Sequence, residues 1–413
     1  MKNSNVLIDH SCPQCGAPAV LTETERLFTC GFCRVKSYLS AGSGLRYLLP
    51  GQAPPGRDLY YYPYWRFKGM LFSCVRDGVR HKFIDVSHQA AASHHFPLSL
   101  GFRSQALKLR FVTPEAEGRF LPVRLPLDEV MQNFNQNFNL PLPQPIFHQA
   151  HVGELVSLVY APFYAADRLY DAVLNEPFGE GLPPDIDASL AGAGPSDWHL
   201  QFLATLCPAC GWDLEGSPDT LVLTCANCDS AWKPGADSFE RLDVGHLPPP
   251  GGPESILYLP FWRTKAEVTG LALDTFGDLV GAANLPVVPR PERRERPFYF
   301  WSPAFKIRPQ TYLPLATRMT LAQPQAEPNA GLPAGDFHPV TLPGADAADS
   351  LKIILAAFIK PRKVVYPRLA AITVASQACR LIYVPFVRSH HDLTQPSLKI
   401  SVPANQLALA GNL

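Results

Sequence analysis

Eight of the ten cysteines in this chain are spaced so that they could grip two metal ions. Cys12-Pro13-Gln14-Cys15 is followed, after fourteen residues, by Cys30-Gly31-Phe32-Cys33. The figure recurs 195 residues later as Cys207-Pro208-Ala209-Cys210, fourteen residues, and Cys225-Ala226-Asn227-Cys228. A CxxC turn presents two thiolates about one ion's width apart. Two such turns joined by a short hairpin make a tetrahedral four-sulfur site, the closed geometry that zinc prefers in structural positions. The expectation is therefore two structural Zn²⁺ ions, one on Cys12, Cys15, Cys30 and Cys33, the other on Cys207, Cys210, Cys225 and Cys228. A lone CxxC could be a redox dithiol, but a paired arrangement engages all four sulfurs. Cys74 and Cys379 lie outside the figure in apolar runs and read as small buried hydrophobes.

A second pattern follows each cysteine set. Tyr61-Tyr62-Pro63-Tyr64-Trp65-Arg66 comes after the first and Tyr258-Leu259-Pro260-Phe261-Trp262-Arg263 after the second. Two further copies are Tyr160-Ala161-Pro162-Phe163 and Tyr383-Val384-Pro385-Phe386-Val387-Arg388. In all four, tyrosine stands two before proline and an aromatic residue follows. Arg66, Arg263 and Arg388 recur three after the proline, as candidates for an interaction site or for stacking on neighbouring rings. Phe102–Arg110 also echoes Ala304–Pro309. The order predicts duplication of a unit of about 200 residues.

The elements that must position these residues are mostly strands. Proline is 43 of 413 residues, about twice the usual ~5%, and interior proline costs a helix about 3 kcal/mol. The tyrosine–proline motifs read as β structure, with each proline at an edge, a bulge or a strand start. Phe67–Val75 and Lys82–Val86 read as a hairpin closed by Asp77-Gly78, and Lys265–Leu273 as the first arm of a later copy. Leu127–Phe138 and Asp346–Ile359 are helix candidates. The fold class expected is mainly β with minor α: two zinc ribbons plus four β-rich hairpin modules in a tandem pseudo-twofold duplication. Pro/Gly-rich linkers, including Pro50–Gly56 and Asn175–Asp197, set the boundaries at 1–45 for ribbon one, 57–174 for the first module pair, 198–245 for ribbon two and 254–413 for the second pair.

The cysteine segments resemble the zinc-ribbon family of rubredoxin-like four-cysteine modules over about 35 residues each. The likeness rests on the eight cysteines and on the Cys-Pro-x-Cys-Gly knuckles at Cys12–Gly16 and Cys207–Gly211. In that family the glycine lets backbone N–H groups approach the sulfurs. The second knuckles depart from this form, with Arg34 and Asp229 in the glycine's place. The resemblance implies zinc and a small β-hairpin, not a function.

Charge narrows the remainder. The formal net charge is zero, and eight thiolates with two divalent ions bring it to −4, a poor footprint for a polyanion binder. The basic stretches are small: Arg290–Arg296 is diluted by Glu292 and Glu295, while Lys360-Pro361-Arg362-Lys363 is cleaner. His81, His88, His94, His95, His390 and His391 match no metalloenzyme spacing and read as solvated loop histidines. No nucleophile elbow, phosphate loop or dinucleotide fingerprint is present. No apolar run reaches membrane-spanning length, and the amino terminus lacks a signal peptide's apolar core. Paired thiols without such a signal point to the cytoplasm. The expected function is a non-catalytic zinc scaffold or adaptor that docks partner proteins through aromatic, low-charge β surfaces. A nucleic-acid-binding ribbon factor is the alternative, and an enzyme with a site between the halves the second.

Overall fold

The computed structural model describes residues 6–40, 44–101, 108–139, 142–178, 198, 200–235, 237–251 and 255–408. These residues are mainly β with a smaller helical part. The chain divides into two compact units. Unit one comprises Met1–Lys68, Asp85–Leu140 and Leu155–Thr205; unit two comprises Gly69–Ile84, Pro141–Glu154 and Leu206–Leu413. Two segments assigned from sequence to the first module pair, Gly69–Ile84 and Pro141–Glu154, thus belong to unit two. Among the described residues no helix is long and apolar enough to cross a membrane.

In unit one, strand Leu45–Leu48 runs parallel to His148–Ala165, with Leu48 opposite Tyr160, and antiparallel to Leu109–Phe111. His148–Ala165 continues through Leu169–Asp171 to Glu176–Phe178. The long strand Leu59–Val75 takes Arg119–Phe120 alongside in parallel. The first cysteine segment joins the same body. Its strand Leu7–Ser11 lies between Pro18–Thr22 and Leu109–Phe111. Its hairpin Leu27–Thr29 and Lys36–Ser40 gains Gln201–Ala204 as a third strand. That strand lies in the stretch read from sequence as the start of ribbon two.

Unit two has strand Ile256–Thr269 antiparallel to Thr373–Arg388, with Tyr258 opposite Pro385 and Pro260 opposite Tyr383. Val244–His246 runs parallel to Thr373–Arg388, with His246 opposite Tyr383, and antiparallel to Asn329–Ala330. Asp392–Gln395 and Ile400–Pro403 follow on the far side. The second cysteine segment carries its own sheet, Leu223–Cys225, Ser230–Pro234 and Phe239–Leu242.

The two units repeat particular backbone hydrogen bonds. Leu49 N–H donates to the Tyr160 carbonyl, as Leu247 does to Tyr383. Ala90 donates to Pro63 and Ala304 to Pro260; the Ala90 carbonyl then accepts from Arg124 and Leu125, and that of Ala304 from Thr341 and Leu342. Leu121 donates to Tyr61, and His338 to Tyr258. The Trp65 indole donates to the Leu125 carbonyl at 2.9 Å and the Trp262 indole to Leu342 at 2.9 Å. In each case Leu-Pro leads directly into a helix, Leu127–Asn139 or Gly344–Phe358. The equivalent of Ala304 by these bonds is Ala90. The residues of the Phe102 echo from 102 to 107 lie outside the described residues.

Several expectations need correction. The motif prolines sit inside long strands, not at edges or strand starts. The carbonyls of Pro63, Pro162 and Pro260 accept from Ala90, Ala172 and Ala304. In an antiparallel ladder a residue's N–H and C=O face the same neighbour, so a proline there accepts one bond and omits the donor. The second hairpin is interrupted. Its return strand, Phe300–Pro303, pairs with Phe261–Thr264 only after helices Phe276–Ala283 and Pro291–Arg294. Thr275 and Asp278 form a capping box that starts the first of these, a Thr-x-x-Asp signal present in the sequence. Unit two also carries helices that the sequence reading did not name, among them Pro309–Ala322. Pro309 and Pro291 open their helices, a position where the missing N–H has no partner to lose. The expected helices at Leu127 and Asp346 occur, as Leu127–Asn139 and Gly344–Phe358.

Candidate metal centres

Each cysteine set closes into a sulfur quartet whose atoms all lie within 4.8 Å of one another. Bonds of about 2.3 Å in a regular tetrahedron set sulfur–sulfur edges of about 3.8 Å. The observed contacts are 3.8 Å for Cys12–Cys33, 3.7 Å for Cys15–Cys30, 3.6 Å for Cys207–Cys228 and 3.5 Å for Cys210–Cys225. A disulfide would place the sulfurs about 2.05 Å apart, and all eight thiols are free. Cys12, Cys30, Cys207 and Cys225 are buried, while Cys15 and Cys210 face solvent. The donor set is all sulfur and closed on itself, which suits a structural cation.

The turns that aim these sulfurs share one geometry. Gly16 and Gly211 have φ of 71° and 73°; Arg34 and Asp229, in the glycine's place, have φ of 64° and 47°. Left-handed backbone is therefore required after all four knuckles, and two non-glycine residues accept it. Amides reach the sulfurs as a result. Hydrogen bonds from the backbone of Cys33 and Phe32 hold the Cys30 thiol down at about 6. The Asn227 side chain and the Trp212 amide do the same for Cys210. In the second quartet the Trp232 indole donates to Ser230 Oγ at 2.7 Å. The Ser230 hydroxyl hydrogen is then free to reach Cys228 Sγ at 3.0 Å.

The three motif arginines have three different environments. Arg66 is buried, 2% exposed. Its Nε and Nη2 donate to Asp85 at 2.9 Å each, and its Nη1 to Glu23 Oε2 at 2.5 Å. Lys68 Nζ reaches the other Glu23 oxygen at 2.6 Å. Arg263 lies over the Tyr299 ring, 3.7 Å from its centroid. Tyr299 stands five residues before Ala304, as Asp85 does before Ala90, so one position offers a carboxylate in unit one and a ring in unit two. Arg388 is partly exposed and pairs with Asp336 at 3.3 Å. Each of the three has its own partner and none shares it with another. Among the described residues no histidine belongs to either quartet; the His390 and His391 rings are 6.4 Å apart.

Glu23 was not singled out from sequence, yet it ties the first cysteine segment to the strand carrying Arg66. That segment also shares a hydrophobic core with its unit. Cys12, Cys30 and Leu39 belong to one buried cluster with Tyr61, Tyr62 and Phe163. In unit two Val222 and Ala231 pack in a cluster with Tyr258, Trp262 and Tyr383, and Leu221 donates to the Val340 carbonyl at 2.7 Å. Neither cysteine segment is a body apart from its strands. The motif rings Tyr62, Tyr64, Phe163, Phe261, Tyr383 and Phe386 are buried as well, so they serve the cores. Cys74 is fully buried, but Cys379 is exposed and accepts from Thr264 Oγ1 at 3.3 Å. Comparison with family models, with curated proteins and with solved structures finds no match.

Proposed function

We propose that this chain is a non-catalytic, zinc-ribbon adaptor of a reducing compartment, built by tandem duplication and docking partner proteins through its cysteine modules. The carrying observation is the pair of closed all-sulfur quartets, whose edges suit zinc–sulfur bonds and leave no position for a reacting water. The shared hydrogen bonds of Ala90 with Ala304, Leu125 with Leu342 and Tyr160 with Tyr383 support the duplication. The docking reading draws on the knuckles. With the motif rings buried, Phe32 (71% exposed) and Trp212 (56% exposed) are the large aromatic side chains that face solvent among the described residues. Aromatic anchors of this kind carry much of the energy of protein interfaces.

Elemental analysis of reduced, freshly purified protein is expected to give two zinc ions per chain, and one after Cys225→Ser; a wild-type value of one or none excludes the reading. Docking is tested by in-cell crosslinking. Phe32→Ser and Trp212→Ser should each reduce crosslinked partner about tenfold or more, at unchanged zinc content, as expected for an anchor worth about 2 kcal/mol. A partner recovered equally well by the double variant would place docking elsewhere. Binding that collapses between 50 and 200 mM salt would instead favour the nucleic-acid alternative.

A further inference from the structure

In unit two, outside both cysteine segments, a hollow of about 400 Å³ is lined by Val79, His81, Leu313, Pro314, Thr317, Arg318, Ala357 and Arg362. Its walls come from strand Gly78–Gln89, helix Pro309–Ala322, the end of helix Gly344–Phe358 and helix Arg362–Val365. One half is apolar. The other brings together two guanidinium groups, an imidazole and a hydroxyl, with no carboxylate in the lining. Arg362 is held in place by its Nη atoms, which donate to the Ala357 carbonyl at 2.9 Å and the Asp77 carbonyl at 3.3 Å. Among the described residues its buried Nε–H has no partner, and neither has the buried Thr317 hydroxyl. A buried donor without an acceptor is costly, and here both belong to residues that line one hollow. Arg318 is exposed and has no ion pair among the described residues.

We propose that this hollow binds a small phosphate monoester with an apolar body. Two positive charges, one of them on the anchored Arg362 and the other on the exposed Arg318, match a phosphate dianion, and a guanidinium donates in the geometry that phosphate oxygens accept. Val79, Leu313, Pro314 and Ala357 offer the surface against which an organic group would bury, and the volume lies in the range of small-molecule sites. A polyanion chain would need an extended basic track, which a chain of zero formal charge with two lining arginines does not offer. The Lys360-Pro361-Arg362-Lys363 stretch thus contributes one residue, Arg362, to a pocket.

Calorimetric titration of the full-length, zinc-loaded protein tests this, with phenyl phosphate, inorganic phosphate, benzoate and a single-stranded oligonucleotide as separate probes at fixed ionic strength. The expected order is phenyl phosphate tightest, inorganic phosphate weaker, benzoate weakest. Arg318→Ala, an exposed change that leaves packing intact, should weaken phenyl phosphate at least tenfold, and Thr317→Val about threefold or more. Arg362→Lys keeps the charge but loses the fork and should also weaken it tenfold. No saturable binding of phenyl phosphate at millimolar concentration overturns the proposal, as does an unchanged affinity in Arg318→Ala. An oligonucleotide that binds tighter than phenyl phosphate through Arg318 would also overturn it, in favour of nucleic acid. Zinc content and far-ultraviolet circular dichroism should stay unchanged in all three variants, which separates failure here from failure of the metal assignment.

Discussion

Cys12→Ser will unfold the whole of unit one, not the first cysteine segment alone. Metal binding by four thiolates contributes about 10–16 kcal/mol of apparent folding free energy in small zinc modules, against roughly 5–15 kcal/mol for the stability of an entire domain. A segment with its own core could lose that contribution in isolation. This one cannot, because Cys12, Cys30 and Leu39 share a buried cluster with Tyr61, Tyr62 and Phe163. Its strand Leu7–Ser11 is also a rung of the unit's sheet. Native-state hydrogen exchange should show protection lost across residues 59–68 and 155–165 as well as 9–40. Protection that persists outside 9–40 would mean that the cysteine segment folds and unfolds on its own. Chelation of the wild type should reproduce the variant's pattern, with unit two failing through its own quartet.

Glu23→Ala should destabilise unit one by about 3–5 kcal/mol, the cost of leaving buried charge uncompensated. Glu23 and its two cationic partners are all buried. Removing the carboxylate takes the Glu23 ion pair from both Lys68 and Arg66 and leaves Arg66 paired with Asp85. Chemical denaturation should show the loss as a fall in midpoint at unchanged m-value. A change under 1 kcal/mol would mean that water reaches the cluster and screens it. Acid should have a related effect. Burial alone would raise the Glu23 carboxyl, but the charges of Arg66 and Lys68 and their hydrogen bonds outweigh it and hold the carboxyl below its ordinary value. A carboxyl lowered on folding contributes stability above the unfolded value, about 4.3. That contribution is lost as pH falls through the lowered folded value. Wild-type stability should therefore decline below the ordinary carboxylate range, and Glu23→Gln should remove this part of the decline.

The cysteine quartets were legible because ligand spacing is a local property. A CxxC turn and a hairpin of fixed length bring four sulfurs together whatever surrounds them. The departure at Arg34 and Asp229 was visible too, but its meaning was not. Only the backbone shows that both residues take the left-handed conformation that glycine takes in the first knuckles. Each copy of the tyrosine–proline motif lies in a long strand. Its prolines were misjudged because a strand's neighbours are not local. Whether a missing N–H is tolerated depends on where the adjoining ladder ends.

Sequence by itself determined the two four-cysteine groups, the β-rich character and the recurrence of one motif, which follow from residue types and spacing. Tertiary structure alone decided what each recurrent residue does. Arg66 meets Asp85 and Glu23, whereas Arg263 meets a tyrosine ring, because the residue five before Ala90 is aspartate and the residue five before Ala304 is tyrosine. It also decided that the cysteine segments share their units' cores, and that His81, Arg318 and Arg362 line one hollow from three distant parts of the chain. The physical reason is that burial, ion pairing and pocket formation depend on which strands and helices become neighbours, and sequence distance does not measure that.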